Sequence, residues 1–112
     1  MTNEEMMDML RNQRSMVEAV DVLLQFNAAV RGDAETTERL LELRAVFEET
    51  EPLLRVGTER LLAVLESGKA ADWRQPSRQV ARREKRARKR HDRASRELRY
   101  ITERLKREYG LA

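Results

Sequence analysis

Apolar residues return at steps of three and four along almost the whole chain, the period of a helix that packs on one side. Met6, Met9, Leu10, Gln13, Met16, Val17, Val20, Leu23, Leu24, Asn27 and Val30 form the first such stripe. It predicts a helix over residues 3–31, opened by Thr2 and Glu5 as a reciprocal capping box. From Met16 onward Ala19, Val22 and Phe26 widen the stripe, which predicts burial on more than one side. Gly32-Asp33 interrupts the pattern. Glycine suits the left-handed position that ends a helix, and aspartate caps the next.

A second stripe runs through Leu40, Leu43, Phe47, Thr50, Leu54, Gly57, Leu61, Val64 and Gly68. Its unbroken alternation predicts one seam over 34–67. Pro52 removes a backbone hydrogen bond inside it, so a kink is expected there, or two abutting helices with Thr50 capping the second. The stretch KAADWRQPS is the one evident loop. Asp72 or Gln75 is the expected cap of a third helix over 76–109, with Pro76 in its first turn. Gly110 and Leu111 then supply a Schellman close. The fold class is all-α: three long helices in an up-down-up bundle or an extended helical hairpin. The third, roughly 50 Å long, is expected to project in part into solvent.

Composition sharpens this picture. The chain has 112 residues, enough for one domain and one core. Only 4% are aromatic, so Leu, Val, Ala and Met must fill that core. Cysteine is absent, which excludes disulfides and thiolate metal sites. No apolar run reaches the roughly 18 residues of a membrane span. The start, MTNEEMMDML, is acidic where a signal peptide is basic, so a cytoplasmic location is the expectation.

Charge divides the chain. Residues 1–72 carry 8 Lys/Arg against 15 Asp/Glu, and residues 73–112 carry 15 against 5. The first part therefore reads as an acidic, apolar-faced hairpin (1–67), the last as a basic helix (76–109), within a single domain. The inner seam of that helix is Val80, Glu84, Ala87, His91, Ala94, Leu98, Ile101, Leu105 and Tyr109. It packs well only toward its C-terminus. The outer stripe begins Arg78, Arg82, Lys85, Lys89, and continues through Asp92 to Arg96 and Arg99, with Arg86 and Arg93 at its border. A helix rich in cations and poor in apolar surface suits phosphate tracking, with arginine adding bidentate geometry. Residues 78–99 span about 33 Å, close to one turn of duplex. Gln75 and Gln79 are the only amides nearby that could read adenine. A plainer account is a solvated face, neutralised by Glu35, Glu38, Glu42, Glu48, Glu49 and Glu51 from the second helix.

Other residues offer less. His91, the only histidine, has Glu84 one heptad away but no second imidazole, so neither catalysis nor a metal site is expected. No cofactor motif is present: GxGxxG, GxxxxGK[ST] and HExxH are all missing. Trp73 could stack on a base or anchor a protein contact, with Tyr100 a weaker candidate. Met6, Met9, Met16 and Leu23 could form an adaptable partner-binding surface, since methionine tolerates varied shapes.

The run RRARKRHDRASRELR resembles the basic region of leucine-zipper transcription factors, with Leu98, Ile101 and Leu105 as a short zipper. Arg88, His91 and Asp92 stand where that family carries asparagine and paired alanines. The whole-chain plan is similar to flagellar and type III secretion export chaperones. The resulting expectation is a non-enzymatic subunit or adaptor. Arg78, Arg82, Lys85, Arg86, Lys89, Arg93, Arg96 and Trp73 would bind a nucleic-acid backbone without sequence preference, or an acidic protein surface. It would do so as a homo-oligomer or within a larger complex, with no membrane involved. The alternative is a helical chaperone or scaffold gripping a partner protein.

Overall fold

The computed structural model describes residues 2–12 and 15–111. Among them are four α-helices and no strand: α1 (Asn3–Arg11), α2 (Met16–Ala29), α3 (Ala34–Ser67) and α4 (Arg78–Glu108). One turn of 3-10 helix, Ala70–Asp72, precedes α4. The class is as expected, but the count is four rather than three, because the helix predicted over 3–31 is divided.

The cause of that division lies far away in sequence. α1 opens on the capping box: the Thr2 hydroxyl accepts from the Glu5 N–H at 3.1 Å, and the Glu5 carboxylate accepts from the Thr2 N–H at 3.3 Å. It closes at Asn12. α2 starts afresh under Ser15, whose hydroxyl accepts from the Val17 N–H. Glu51 of α3 accepts from both the Ser15 hydroxyl (2.8 Å) and the Met16 N–H (2.6 Å). A carboxylate at the unsatisfied N–H groups of a helix start stabilises that start. Gln13, part of the predicted stripe, lies outside the described residues.

The turn after α2 is a Schellman close, with N–H groups of Arg31 and Gly32 bonding the carbonyls of Ala28 (3.2 Å) and Asn27 (2.8 Å). The left-handed residue is Arg31 (φ 54°), not the expected Gly32. Gly32 is needed for room instead: a Cβ there would fall 1.8 Å from Asn27 Oδ1. Asn27 is buried and donates to the Asp33 carbonyl (3.3 Å) and the Thr37 hydroxyl (2.9 Å). Asp33 caps α3 as predicted, accepting from the Thr36 N–H at 2.6 Å.

α3 is one continuous helix through Pro52. Thr50 caps nothing; its buried hydroxyl donates back to the Val46 carbonyl at 2.8 Å. Gly68 ends the helix in the left-handed conformation (φ 69°). The cap of α4 is Ser77, accepting from the Val80 N–H at 3.3 Å, rather than Asp72 or Gln75. Pro76 therefore precedes the cap instead of occupying the first turn. The far end closes as predicted, with the Leu111 N–H on the Lys106 carbonyl (2.8 Å) and Gly110 at φ 67°.

α2, α3 and α4 run antiparallel in turn, with α3 in the middle. Asp21 meets Arg44 between α2 and α3 (2.7 Å). Arg104–Thr36, Arg90–Glu49 and Arg60–Glu84 tie α4 to α3 along its length. The molecule measures 54 × 31 × 16 Å with a radius of gyration of 17.4 Å. A compact chain of this size would have about 13 Å, so this is an elongated plate. The core sits at one end of it, where Val20, Leu40, Leu43, Phe47, Ala94, Leu98, Ile101 and Leu105 are buried together. Phe26 packs edge-on to Tyr109 and Phe47 edge-on to His91. At the other end, where the α3–α4 hairpin turns, Ala87 is the only buried residue among those described. Arg78–Arg83 are exposed all round, so α4 runs past its packed seam there. Val80, predicted on the inner seam, is exposed.

Candidate nucleic-acid interface

An α-helix brings residues three and four apart onto one face, one turn of 5.4 Å above another. On α4 this rule stacks Arg78, Arg82, Lys85, Lys89, Arg93 and Arg96 in a row directed away from the buried Ala87, Ala94, Leu98, Ile101 and Leu105, with the exposed carboxylate of Asp92 on the same face between Lys89 and Arg96. Arg86 borders the row. All seven cations are exposed, and none forms an ion pair with a described side chain, those of Asp72 and of residues 1, 13, 14 and 112 lying outside that set. Near the start of α4, Arg78, Gln79, Arg82, Arg83 and Arg86 line a shallow open concavity. Opposed cations this close raise the local potential for anions.

Of the α3 carboxylates, Glu35, Glu38 and Glu59 pair with none of the described side chains, and most of the others are engaged away from the row. Glu42 pairs with Arg39 and Glu48 with Arg44 on their own helix, while Glu51 holds the start of α2. Only Glu49 reaches across, taking Arg90 in a bidentate pair at 2.8 and 2.9 Å. Arg90 faces inward from the row. The Arg90 hydrogen bonds hold the Glu49 carboxyl below its ordinary range. The remaining pairing runs in the reverse sense, with arginines of α3 meeting glutamates of α4. Arg39 donates to Glu97 (2.7 Å), which depresses the Glu97 carboxyl, and Arg60 donates to Glu84 (2.6 Å). Glu84 stays in the seam because Arg60 accompanies it, at 24% and 25% side-chain exposure. Neutralisation thus stops at the seam and leaves the outer row charged.

Trp73 follows the 3-10 turn, its N–H on the Ala70 carbonyl at 3.1 Å, and its ring is partly exposed five residues before the row. Tyr100 continues the row one turn after Arg96 and is 64% exposed. Spacing alone places it there, yet ranking residues by charge passes over it.

The four residues predicted as a partner surface do not share one face. Met16 and Leu23 pack against the core cluster, Met6 is half-buried, and Met9 is 60% exposed on α1. The exposed apolar row lies instead on the outer face of α3, at Leu41, Ala45, Pro52 and Val56. The zipper implied by the basic-region resemblance is not available either: Leu98, Ile101 and Leu105 are spent in this chain's own core. His91 is half-buried against Phe47. No group of His, Asp and Glu among the described residues is placed to hold a metal ion. None of their helices is long and apolar enough to cross a membrane. No protein-family model, curated protein or solved structure matches the chain.

Proposed function

We propose that this chain is a non-enzymatic helical subunit or adaptor that binds the backbone of a nucleic acid along α4, as part of a larger assembly. The observation that supports the reading most is the row of exposed cations with Arg86 at its border, none of which forms a salt bridge with the described side chains, Arg93 alone lying near enough to a carboxylate to help depress Glu97. Each such cation that meets a phosphate releases a condensed counterion, so affinity arises largely from salt entropy and carries no base information. The lack of Asn or Gln on the row agrees with a sequence-tolerant contact.

Fluorescence anisotropy of a labelled nucleic acid, titrated from 50 to 500 mM salt, tests it. Seven phosphate contacts give a log–log slope of about −5 to −6. Replacing Arg82, Lys89 or Arg96 by Ala reduces that slope by about 0.7–0.9 each. A protein that ignores DNA and RNA in dilute buffer, or binds them with no salt dependence, ends the proposal.

The second reading, a chaperone or scaffold for another protein, draws support from the Leu41–Val56 row on α3. It predicts protein binding that is insensitive to salt and lost in Leu41→Asp. Met16→Asp and Leu23→Asp are poor tests, because both residues pack on the core.

A further inference from the structure

We infer that the strand α4 tracks is single, and that Tyr100 is where one of its bases stacks. The inference rests on reading α4 as a backbone-binding face and goes one step further, to the form of the nucleic acid.

Two features of the row carry it. The first is its shape. The cations from Arg78 to Arg96 lie along one straight face for about 27 Å, one per turn of helix, interrupted only by the carboxylate of Asp92 between Lys89 and Arg96. A duplex winds its two strands around an axis once in about 34 Å. A straight row beside it therefore meets phosphates only where each strand crosses, and most of its charges face a groove. A flexible single strand can follow the row from end to end.

The second feature is Tyr100, which occupies the next position of the same row and is 64% exposed. Arg96 lies one turn before it and Arg104 one turn after. Arg104 is held in place by the Thr36 hydroxyl at 2.7 Å. A duplex hides the faces of its bases, so an exposed aromatic ring in line with the phosphate contacts gains nothing from it. An unpaired base offers that face, and stacking on tyrosine is tolerant of sequence. Glu103 stands on the outward face just beyond, and the concavity beside Tyr100 is lined by Asp33, Glu35, Glu38, Glu42 and Glu97, of which Glu42 and Glu97 are paired with Arg39. Those carboxylates repel phosphate, so the backbone path ends where the ring begins.

The test compares Kd values for a labelled 20-mer of thymidylate, a 20-mer of uridylate, an abasic 20-mer and a 20-base-pair duplex, with full-length wild-type protein, Tyr100→Ala and Tyr100→Phe. The expected result is tighter binding of the single strands than of the duplex. Tyr100→Ala then loses about tenfold on thymidylate or uridylate, corresponding to one stacked base. It changes nothing on the abasic strand or in the salt slope, and Tyr100→Phe retains wild-type affinity. The thymidylate and uridylate arms tell DNA from RNA. Equal or tighter duplex binding, or wild-type affinity in Tyr100→Ala, overturns the inference while leaving backbone binding intact. Absence of binding to every probe at 50 mM salt overturns both. Tyr100 is exposed, and matched circular-dichroism melts verify that its variants fold.

Discussion

The two ends of the α3–α4 hairpin are built from the same helices and differ in what α4 brings to the seam. At the closed end α4 supplies Leu98, Ile101 and Leu105, and the facing Leu40, Leu43 and Phe47 are buried. At the turn end it supplies Val80, Glu84 and Ala87, and Leu54, Leu61 and Leu65 of α3 remain half-buried. Both helices are continuous from the core to the turn end, so helix formation and core formation are separable here. The turn end is also where the cations are densest. A helix that spends its side chains on charge has few left for packing, and the fold accepts a thin seam where the proposed interface is strongest.

The widest gap between the ends should appear on truncating their largest inner residues. Phe47→Ala removes a fully buried ring that also contacts His91, and should cost about 3–5 kcal/mol in urea unfolding. Leu61→Ala, at a half-exposed site, should cost about 1 kcal/mol. Equal losses would mean that the turn end is packed as well as the core, and the comparison would fail.

Much of this architecture is legible from sequence because its causes are local. The capping box at Thr2, the Asp33 cap, the 34–67 seam and the Gly110 close each depend on residues within a few positions of one another. The errors share the opposite origin. α1 and α2 separate because Glu51, some 35 residues on, binds the new helix start. Arg31 rather than Gly32 turns left-handed, and Gly32 serves instead to leave room for the buried Asn27 amide, a contact five residues back that the pattern does not record. The exposed row on α4 follows from periodicity, since a stripe opposite the core must face outward. Its partners do not follow: the sequence records the charges of Arg39, Arg60, Glu84 and Glu97, and only the packed register shows that they neutralise one another across the seam.

Two glycines extend the contrast, with opposite signs. Gly32→Ala drives a methyl group into the Asn27 amide. Displacing that buried amide from Thr37 and Asp33 should cost about 1–3 kcal/mol. Gly57→Ala at the turn end adds a methyl 3.5 Å from a Glu84 carboxylate oxygen, an ordinary contact. There the gain in helix propensity dominates, and stability should rise by about 1 kcal/mol. Thermal melts of the two variants should move in opposite directions. A loss in Gly57→Ala would show that the thin seam is as intolerant of added volume as the core.

Acid should produce the smallest effect, and it bears on how the ends are tied. Asp21, Asp33, Glu49 and Glu97 are held below their ordinary values of 3.8 and 4.5 by Arg44, Thr36, Arg90 and Arg39 respectively. A carboxyl depressed in the folded state stabilises the fold fully above its unfolded value, and that stability is lost as pH falls through the folded one. The melting temperature should therefore be flat from pH 7 down to about 5 and decline below it. Most of these pairs are open to solvent, so raising the salt should shrink the decline. Glu49→Gln and Glu97→Gln divide it between the middle of the hairpin and its closed end. If both variants together leave the acid limb unchanged, the Arg90–Glu49 and Arg39–Glu97 pairs contribute nothing to stability, and apolar packing holds the middle and the closed end of the hairpin without them.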